Sequence, residues 1–357
     1  MKTRLEKLVI PGQAIPEMRF KGSAFEAGKY MAQWTLENYP FYPRILSMAV
    51  HDWSDPPEKV VAAFKKYAPW VLELYRGMLE KLHDLNFDAD SPMPEIPVRN
   101  TCEDSGCTSF SLAPARCVNH APLAGQTKDT GIESLDLYII LNMHLTDGPS
   151  MLKLAYPGEL CGYGFHNNNM SVFRNDLKSV QGGNGLLPGL IYCLLALSAD
   201  SVDAAKNIAL EYGLSGAGNY LVSDSKTALA VESNAGGIGW VEPVNGILVH
   251  ANHPDSPVTL PYEFTADRPR PEQSRCRKKM LYEAIANHKG LISVDDMFNY
   301  MALHARAGEL QGVCRHGDVA GVEPCTTAAV AADVLNKRFY AVKGPACMNK
   351  YSVYEML

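Results

Sequence analysis

Asp104-Ser105-Gly106-Cys107-Thr108-Ser109-Phe110, with Gly125-Gln126-Thr127-Lys128-Asp129 further on, is the stretch that decides how this 357-residue chain reads. A cysteine after glycine, at the head of a β-type run, is placed to turn its thiol back on the Gly106 carbonyl. Glycine adds no side-chain bulk there and tolerates unusual backbone angles. Hydrolysis of the resulting ester frees an α-amino group beside the thiol. Such an amine has an unperturbed pKa of about 7.7–8.0, so near neutral pH it serves as general base for its own side chain. The stretch therefore reads as a self-cleavage site between Gly106 and Cys107, with Cys107 as the new N-terminus, both nucleophile and base.

Outward from the cysteine, Thr108 to Ala113 and Leu123 to Thr127 flank a turn-like segment and predict an antiparallel hairpin at the start of a sheet. Upstream, Glu58 to Leu85 places Val61, Phe64, Ala68, Val71, Leu74, Met78 and Leu82 at helical steps, with Pro69 breaking or kinking the helix. Asn86 to Pro97, with Pro92, Pro94 and Pro97, predicts an exposed linker to the scissile bond. Downstream, Leu186 to Leu197 predicts a buried helix, and Asp200 to Tyr212 a capped helix packing on a sheet. Tyr220 to Val222, Ala228 to Glu232, Ile247 to Val249 and Lys337 to Val342 read as strands. Locally paired strands, then helices, then more strands predict an α+β layered architecture.

Composition narrows the function classes. The chain is 46% hydrophobic and 20% charged, with net charge −6 and no basic block, which argues against nucleic acid as a partner. The run at Leu186 to Leu197 falls short of the ~20 residues that span a bilayer, and the N-terminal apolar run is too short for a signal-peptide core. These observations predict a cytoplasmic protein with no membrane partner. The nine cysteines show no C-x-x-C spacing, so neither a metal site nor a disulfide framework is expected. Cys102 draws notice only because it lies close to Cys107.

Gly106-Cys107-Thr108-Ser109-Phe110, the Gly125-Gln126-x-x-Asp129 segment and Val249-His250-Ala251-Asn252-His253 occur in an order and spacing that resembles one family. This is the acyl-CoA:6-aminopenicillanic acid (isopenicillin N) acyltransferase family of N-terminal-nucleophile hydrolases. Fainter matches run from Gly22-Ser23 to Gly28 and from Tyr67-Ala68-Pro69 to Gly77. The resemblance implies a four-layer αββα sandwich, with residues 1–106 a mainly helical segment released by the cut and 107–357 the catalytic core, together one structural unit. It implies that Asn252 is the side-chain donor of an oxyanion hole and that Asp129 holds the Cys107 amine in its protonated form. Each residue also has a plainer reading: Cys107 as a buried hydrophobe, Asn252 as a turn cap before Pro254, Asp129 as a turn residue before Thr130-Gly131. His250 and His253 are read as structural.

Two departures qualify the resemblance. Where the family has Gly-Phe-Asn-x-x-Gly, this chain has Gly164-Phe165-His166-Asn167-Asn168-Asn169. Asn169 can adopt the left-handed conformation of glycine, and His166 takes a substrate-positioning place. The family's serine and arginine before a threonine-led strand are replaced by Val322-Glu323-Pro324-Cys325-Thr326, so a cation is missing there unless Arg275, Arg277 or Arg315 supplies one. The Ser274-x-x-Arg277 pattern recurs in the family and is assigned a structural or substrate-positioning role.

The function expected is a cofactor-free cysteine amidohydrolase acting on a small linear amide, an N-acyl amine or N-acyl amino acid, through a thioester on Cys107. One alternative is acyl transfer from a thioester to an amine, with coenzyme A as co-substrate. A second is an unprocessed, non-catalytic relative that binds an acylated small molecule. The expected partners are the acylated substrate and the chain's own two cleavage fragments, with a homo-oligomer left open.

Overall fold

The computed structural model describes residues 8–9, 12–91, 106–183, 186–264, 270–317 and 324–357. Cys102, residues 92–97 of the proline-rich linker and Val322-Glu323 lie outside the described residues. The chain begins with β1 (Glu17–Gly22) and four helices, α1 (Ala24–Asn38), α2 (Arg44–Ser54), α3 (Glu58–Tyr67) and α4 (Pro69–Asp84). The hairpin β2 (Gly106–Leu112) and β3 (Leu123–Thr130) precedes a meander of β4 (Ile139–Leu145), β5 (Ser150–Ala155), β6 (Tyr163–His166) and β7 (Ser171–Asp176). Helices α5 (Gly189–Ser198) and α6 (Val202–Tyr212) lead to β8 (Gly218–Ser223), β9 (Ala228–Asn234), β10 (Gly237–Val241) and β11 (Ile247–His250). Helices α7 (Arg270–Ala286) and α8 (Val294–Met301) come before β12 (Cys325–Asp333), β13 (Arg338–Lys343) and β14 (Ser352–Glu355).

Local chemistry sets several of these boundaries. Ser23 caps α1 by accepting from the Glu26 N–H at 3.2 Å, and Ser201 caps α6 by accepting from the Ala204 N–H at 3.2 Å. Ala68 leaves helical geometry at φ −150°, ψ 60°, and Pro69 then opens α4 at the position where a missing N–H costs nothing. The expected long helix is thus two helices meeting at the proline. Asn169 has φ 71°, the left-handed conformation expected of it in the turn between β6 and β7.

The strands form an eight-stranded sheet in the order β1-β4-β5-β6-β7-β8-β9-β10 and a six-stranded sheet in the order β11-β2-β3-β12-β13-β14. The β1–β4 pair is parallel and the other neighbours in both sheets are antiparallel. Three cores separate four layers. Met31, Phe64, Leu74, Leu141 and Val222 lie between the N-terminal helices and the first sheet. Ile140, Phe165, Phe173, Ala328 and Val330 lie between the two sheets. Phe110, Val249, Leu281, Met297 and Ala329 lie between the second sheet and α7 and α8. Side chains alternate across a strand, so Ala328 and Val330 of β12 face one core and Ala329 and Ala331 the other. The expected αββα sandwich is the architecture present. Among the described residues no helix is long and apolar enough to cross a membrane.

Candidate active site

Hairpin register builds the site. Pairing of β2 with β3 sets Gly106 opposite Asp129 and Cys107 opposite Lys128. Alternation then gives Cys107, Ser109, Gln126 and Lys128 the face toward the first sheet. Gln126 Nε2 crosses to the Arg174 carbonyl and to Asn175 Oδ1, both at 2.6 Å, and Asn175 Nδ2 returns to Ser109 Oγ at 2.9 Å. This polar bridge ties the two sheets together beneath the thiol. Thr108 and Asp129 point the other way, toward α7, where Thr108 Oγ1 accepts from Arg277 Nε at 3.2 Å.

Cys107 is 4% exposed. Burial pushes its thiol up, Lys128 opposes the rise, and Asp129 and Asp176 add to it. The Lys128 ammonium sits 4.3 Å from the centroid of the Tyr163 ring. Burial works to lower that ammonium, but Cys107 and the phenols of Tyr163, Tyr138 and Tyr156 outweigh it and hold it well above its ordinary value.

The Cys107 N–H donates to Asn252 Oδ1 at 2.9 Å. Asn252 follows β11, the strand that pairs with β2, and three further contacts hold it. Its own N–H donates to Ser274 Oγ at 2.7 Å, its Nδ2 donates to the Asp176 carbonyl at 2.9 Å, and its Oδ1 also accepts from Arg277 Nη2 at 2.5 Å. An amide carries two N–H donors, so one is committed to Asp176. Residues three apart on a helix share a face. That spacing lets Ser274 and Arg277 of α7 grip Asn252 together, and Ser274 Oγ also meets His253 Nδ1 at 2.7 Å.

Asp129 is fully buried. Its Oδ1 accepts from Thr326 Oγ1 at 2.8 Å, and its Oδ2 lies 3.9 Å from Arg315 Nη1. Burial raises the carboxyl above its ordinary value, while Arg315 and Arg277 pull against the rise. A Cβ added to Gly106 would lie 2.8 Å from Arg315 Nη1 and 2.9 Å from Asp129 Oδ2. Glycine here answers to close approach. Gly106 has no left-handed φ.

The fold supplies the cation that the 322–326 sequence lacks. Arg277 is 3% exposed, with burial pulling its guanidinium down to about 10 against the opposing pull of Asp129. Arg315 joins Asp129 through Thr326, whose N–H donates to the Arg315 carbonyl at 2.8 Å and whose Oγ1 accepts from the Arg315 N–H at 2.9 Å. Arg275 turns away to pair with Glu263 at 2.5 Å.

His166 requires correction. It is fully buried on the face of β6 opposite Phe165, with its ring 5.9 Å from that of Trp70 in the helical layer. Strand alternation turns it away from the gap between the sheets, so it does not join Cys107. His250 Nε2 lies 2.5 Å from Glu232 Oε1, and Glu232 also accepts the Asp255 N–H at 2.9 Å and the Ser256 N–H at 3.0 Å. These contacts tie down the loop that carries Asn252. Residues the sequence reading passed over are Lys128, the Gln126–Asn175 bridge and Thr326. The hairpin register, counted back from the turn, is the signal that would have put Lys128 opposite Cys107.

No family model matches the chain, and no curated protein sequence matches it. Among solved structures the chain is similar to a mutant of conjugated bile acid hydrolase from Clostridium perfringens, at 12% identity over 70% of this chain and 97% of that one, with a TM-score of 0.43. A second variant of that hydrolase aligns at 11% identity over 71% of this chain and 89% of the other, with a TM-score of 0.37. Penicillin V acylase from Agrobacterium tumefaciens aligns at 9% identity over 66% and 83% of the two chains, with a TM-score of 0.41. The four-layer architecture described above stands on this chain's own sheets and cores.

Proposed function

We propose that the chain is a precursor that cuts itself between Gly106 and Cys107 and then acts as a cysteine amidohydrolase on a small linear amide. The observation that carries this reading is the pair of contacts around the scissile bond. The nitrogen that would become the free amine is held by Asn252 Oδ1 at 2.9 Å, and the Asp129 carboxylate lies 2.9 Å from where a Cβ on Gly106 would sit. In the first step Cys107 Sγ adds to the Gly106 carbonyl and the C–N bond breaks, leaving Gly106 as a thioester and the nitrogen as an amine. Water then cleaves the thioester and frees the Gly106 carboxylate.

In turnover the amine takes the thiol proton and Sγ attacks the substrate carbonyl. The second Asn252 amide proton and backbone N–H groups stabilise the developing oxyanion. The proton passes to the leaving amine, and water resolves the thioester. Asp129, whose side chain points to the face opposite the thiol, holds the charged form of the amine. None of the eight cysteines among the described residues is in a disulfide, which suits a reducing compartment such as the cytoplasm.

Acyl transfer is the second reading. The Arg315 cation beside Asp129, where the 322–326 sequence offers none, is the observation that favours it. Hydroxylamine added during turnover separates the two: capture of the acyl group faster than water removes it favours transfer. The primary test is intact mass under denaturing conditions, run beside Cys107→Ala. The expected result is two fragments, one ending at Gly106 and one beginning at Cys107, in the native sequence only. A single uncut chain in both samples overturns the proposal and leaves a binding protein.

A further inference from the structure

A second cluster of reactive side chains lies in the segment that carries Arg315. His304 follows α8, Cys314 and His316 flank Arg315 before β12, and Cys347 lies in the turn between β13 and β14. Their four ligand atoms all fall within 4.8 Å of one another. Cys314 Sγ is 3.5 Å from Cys347 Sγ, His316 Nε2 is 3.1 Å from Cys347 Sγ, and Cys314 Sγ is 3.8 Å from His316 Nε2. The His304 and His316 rings meet edge to face with centroids 4.9 Å apart.

These separations have a metal-binding scale. Zinc bonds of about 2.3 Å to sulfur and about 2.0–2.1 Å to nitrogen, at tetrahedral angles, put ligand atoms roughly 3.3–3.8 Å apart. The cluster is also preformed by backbone. The Cys314 N–H donates to the Leu303 carbonyl at 2.8 Å, locking the cysteine segment to the end of α8. A Cβ on Gly312 would lie 2.5 Å from the Ala305 nitrogen, so glycine lets that segment close on His304. Two thiolates and two neutral imidazoles balance a divalent cation and select zinc over harder ions.

We propose that His304, Cys314, His316 and Cys347 form a closed, structural Cys2His2 zinc site, separate from the candidate active site. Spacing rules missed it because the ligands come from three separate segments and contain no C-x-x-C. Its place in the fold gives it a task. The metal staples the Arg315 segment to the β13–β14 turn, and Arg315 in turn holds Thr326 and faces Asp129.

The test uses the untagged full-length protein purified without chelator. Elemental mass spectrometry is expected to find about one zinc per chain. After chelation, cobalt(II) is expected to restore about one equivalent with the visible bands of a tetrahedral ion and a thiolate charge-transfer band, and Cys347→Ser and His304→Ala each weaken cobalt binding about tenfold or more. Protein without zinc that also gives no tetrahedral cobalt spectrum overturns the proposal, and the wild-type titration does not depend on whether either variant folds. An intact mass lower by two hydrogens that is restored by reductant, showing a Cys314–Cys347 disulfide, overturns it equally.

Discussion

At the scale of single residues, Gly106 and Arg277 each serve more than one contact. Replacing Gly106 with alanine drives a methyl into Arg315 and Asp129 at 2.8 and 2.9 Å. Overpacking of this kind costs about 1–3 kcal/mol, which slows a step by roughly ten- to a hundredfold if the site must hold its shape during the cut. The rate of fragment appearance in Gly106→Ala reads this directly, and cleavage at the native rate would sink the claim that this close approach is used. Arg277 pulls the raised Asp129 carboxyl back down. In Arg277→Met that pull is gone, so Asp129 protonates at higher pH and the acid limb of kcat/KM against pH moves upward. An unmoved limb would show that Asp129 does not govern the reaction. Of these groups, Cys107 and Asn252 were legible because their neighbours in sequence mark them. Lys128 and Thr326 were not, nor was which of Arg275, Arg277 and Arg315 turns inward, since these outcomes come from cross-strand register and from a loop that returns to the strand.

Among elements, α1 and α4 meet backbone to backbone. A Cβ on Gly28 would lie 1.8 Å from the Leu74 carbonyl oxygen, and one on Gly77 would lie 1.9 Å from that of Phe25. These are the two glycines that close the fainter N-terminal matches, and the crossing explains them: only glycine lets the helices approach so closely. Gly77→Ala is expected to destabilise the protein by about 3 kcal/mol. Denaturant unfolding monitored by circular dichroism measures it, and a loss under half a kilocalorie would mean the helices separate at little cost. The break at Pro69 and the capped start of α6 were readable from sequence because they depend on local chemistry. Strands β4 to β7 were not picked out. Tyr138, Ile139, Ile140 and Leu141 are all buried, on both sides of the sheet, and such a run shows no alternation to mark it as a strand.

For the whole molecule, the cut would leave two chains that share cores. Strand β1 pairs with β4 from Glu17–Ile140 to Gly22–Leu145, and the Ala24 N–H donates to Asp147 Oδ1 at 2.7 Å. Met31, Phe64 and Leu74 lie in one core with Leu141 and Val222. The two fragments are therefore expected to travel as one species in native size-exclusion chromatography or native mass spectrometry and to part only in denaturant. Fragments that separate under native conditions would mean that this packing does not survive the cut. The amino-acid order by itself determined the cysteine at the head of a strand, the helical run before it and the α+β layering, because these depend on residues close together along the chain. Only the tertiary structure decided which side chains gather at Cys107, that His166 turns away from it, and that Arg277 and Arg315 turn inward. Those outcomes depend on strand register and on which face of each element is buried, and both are set by pairing between segments far apart in sequence.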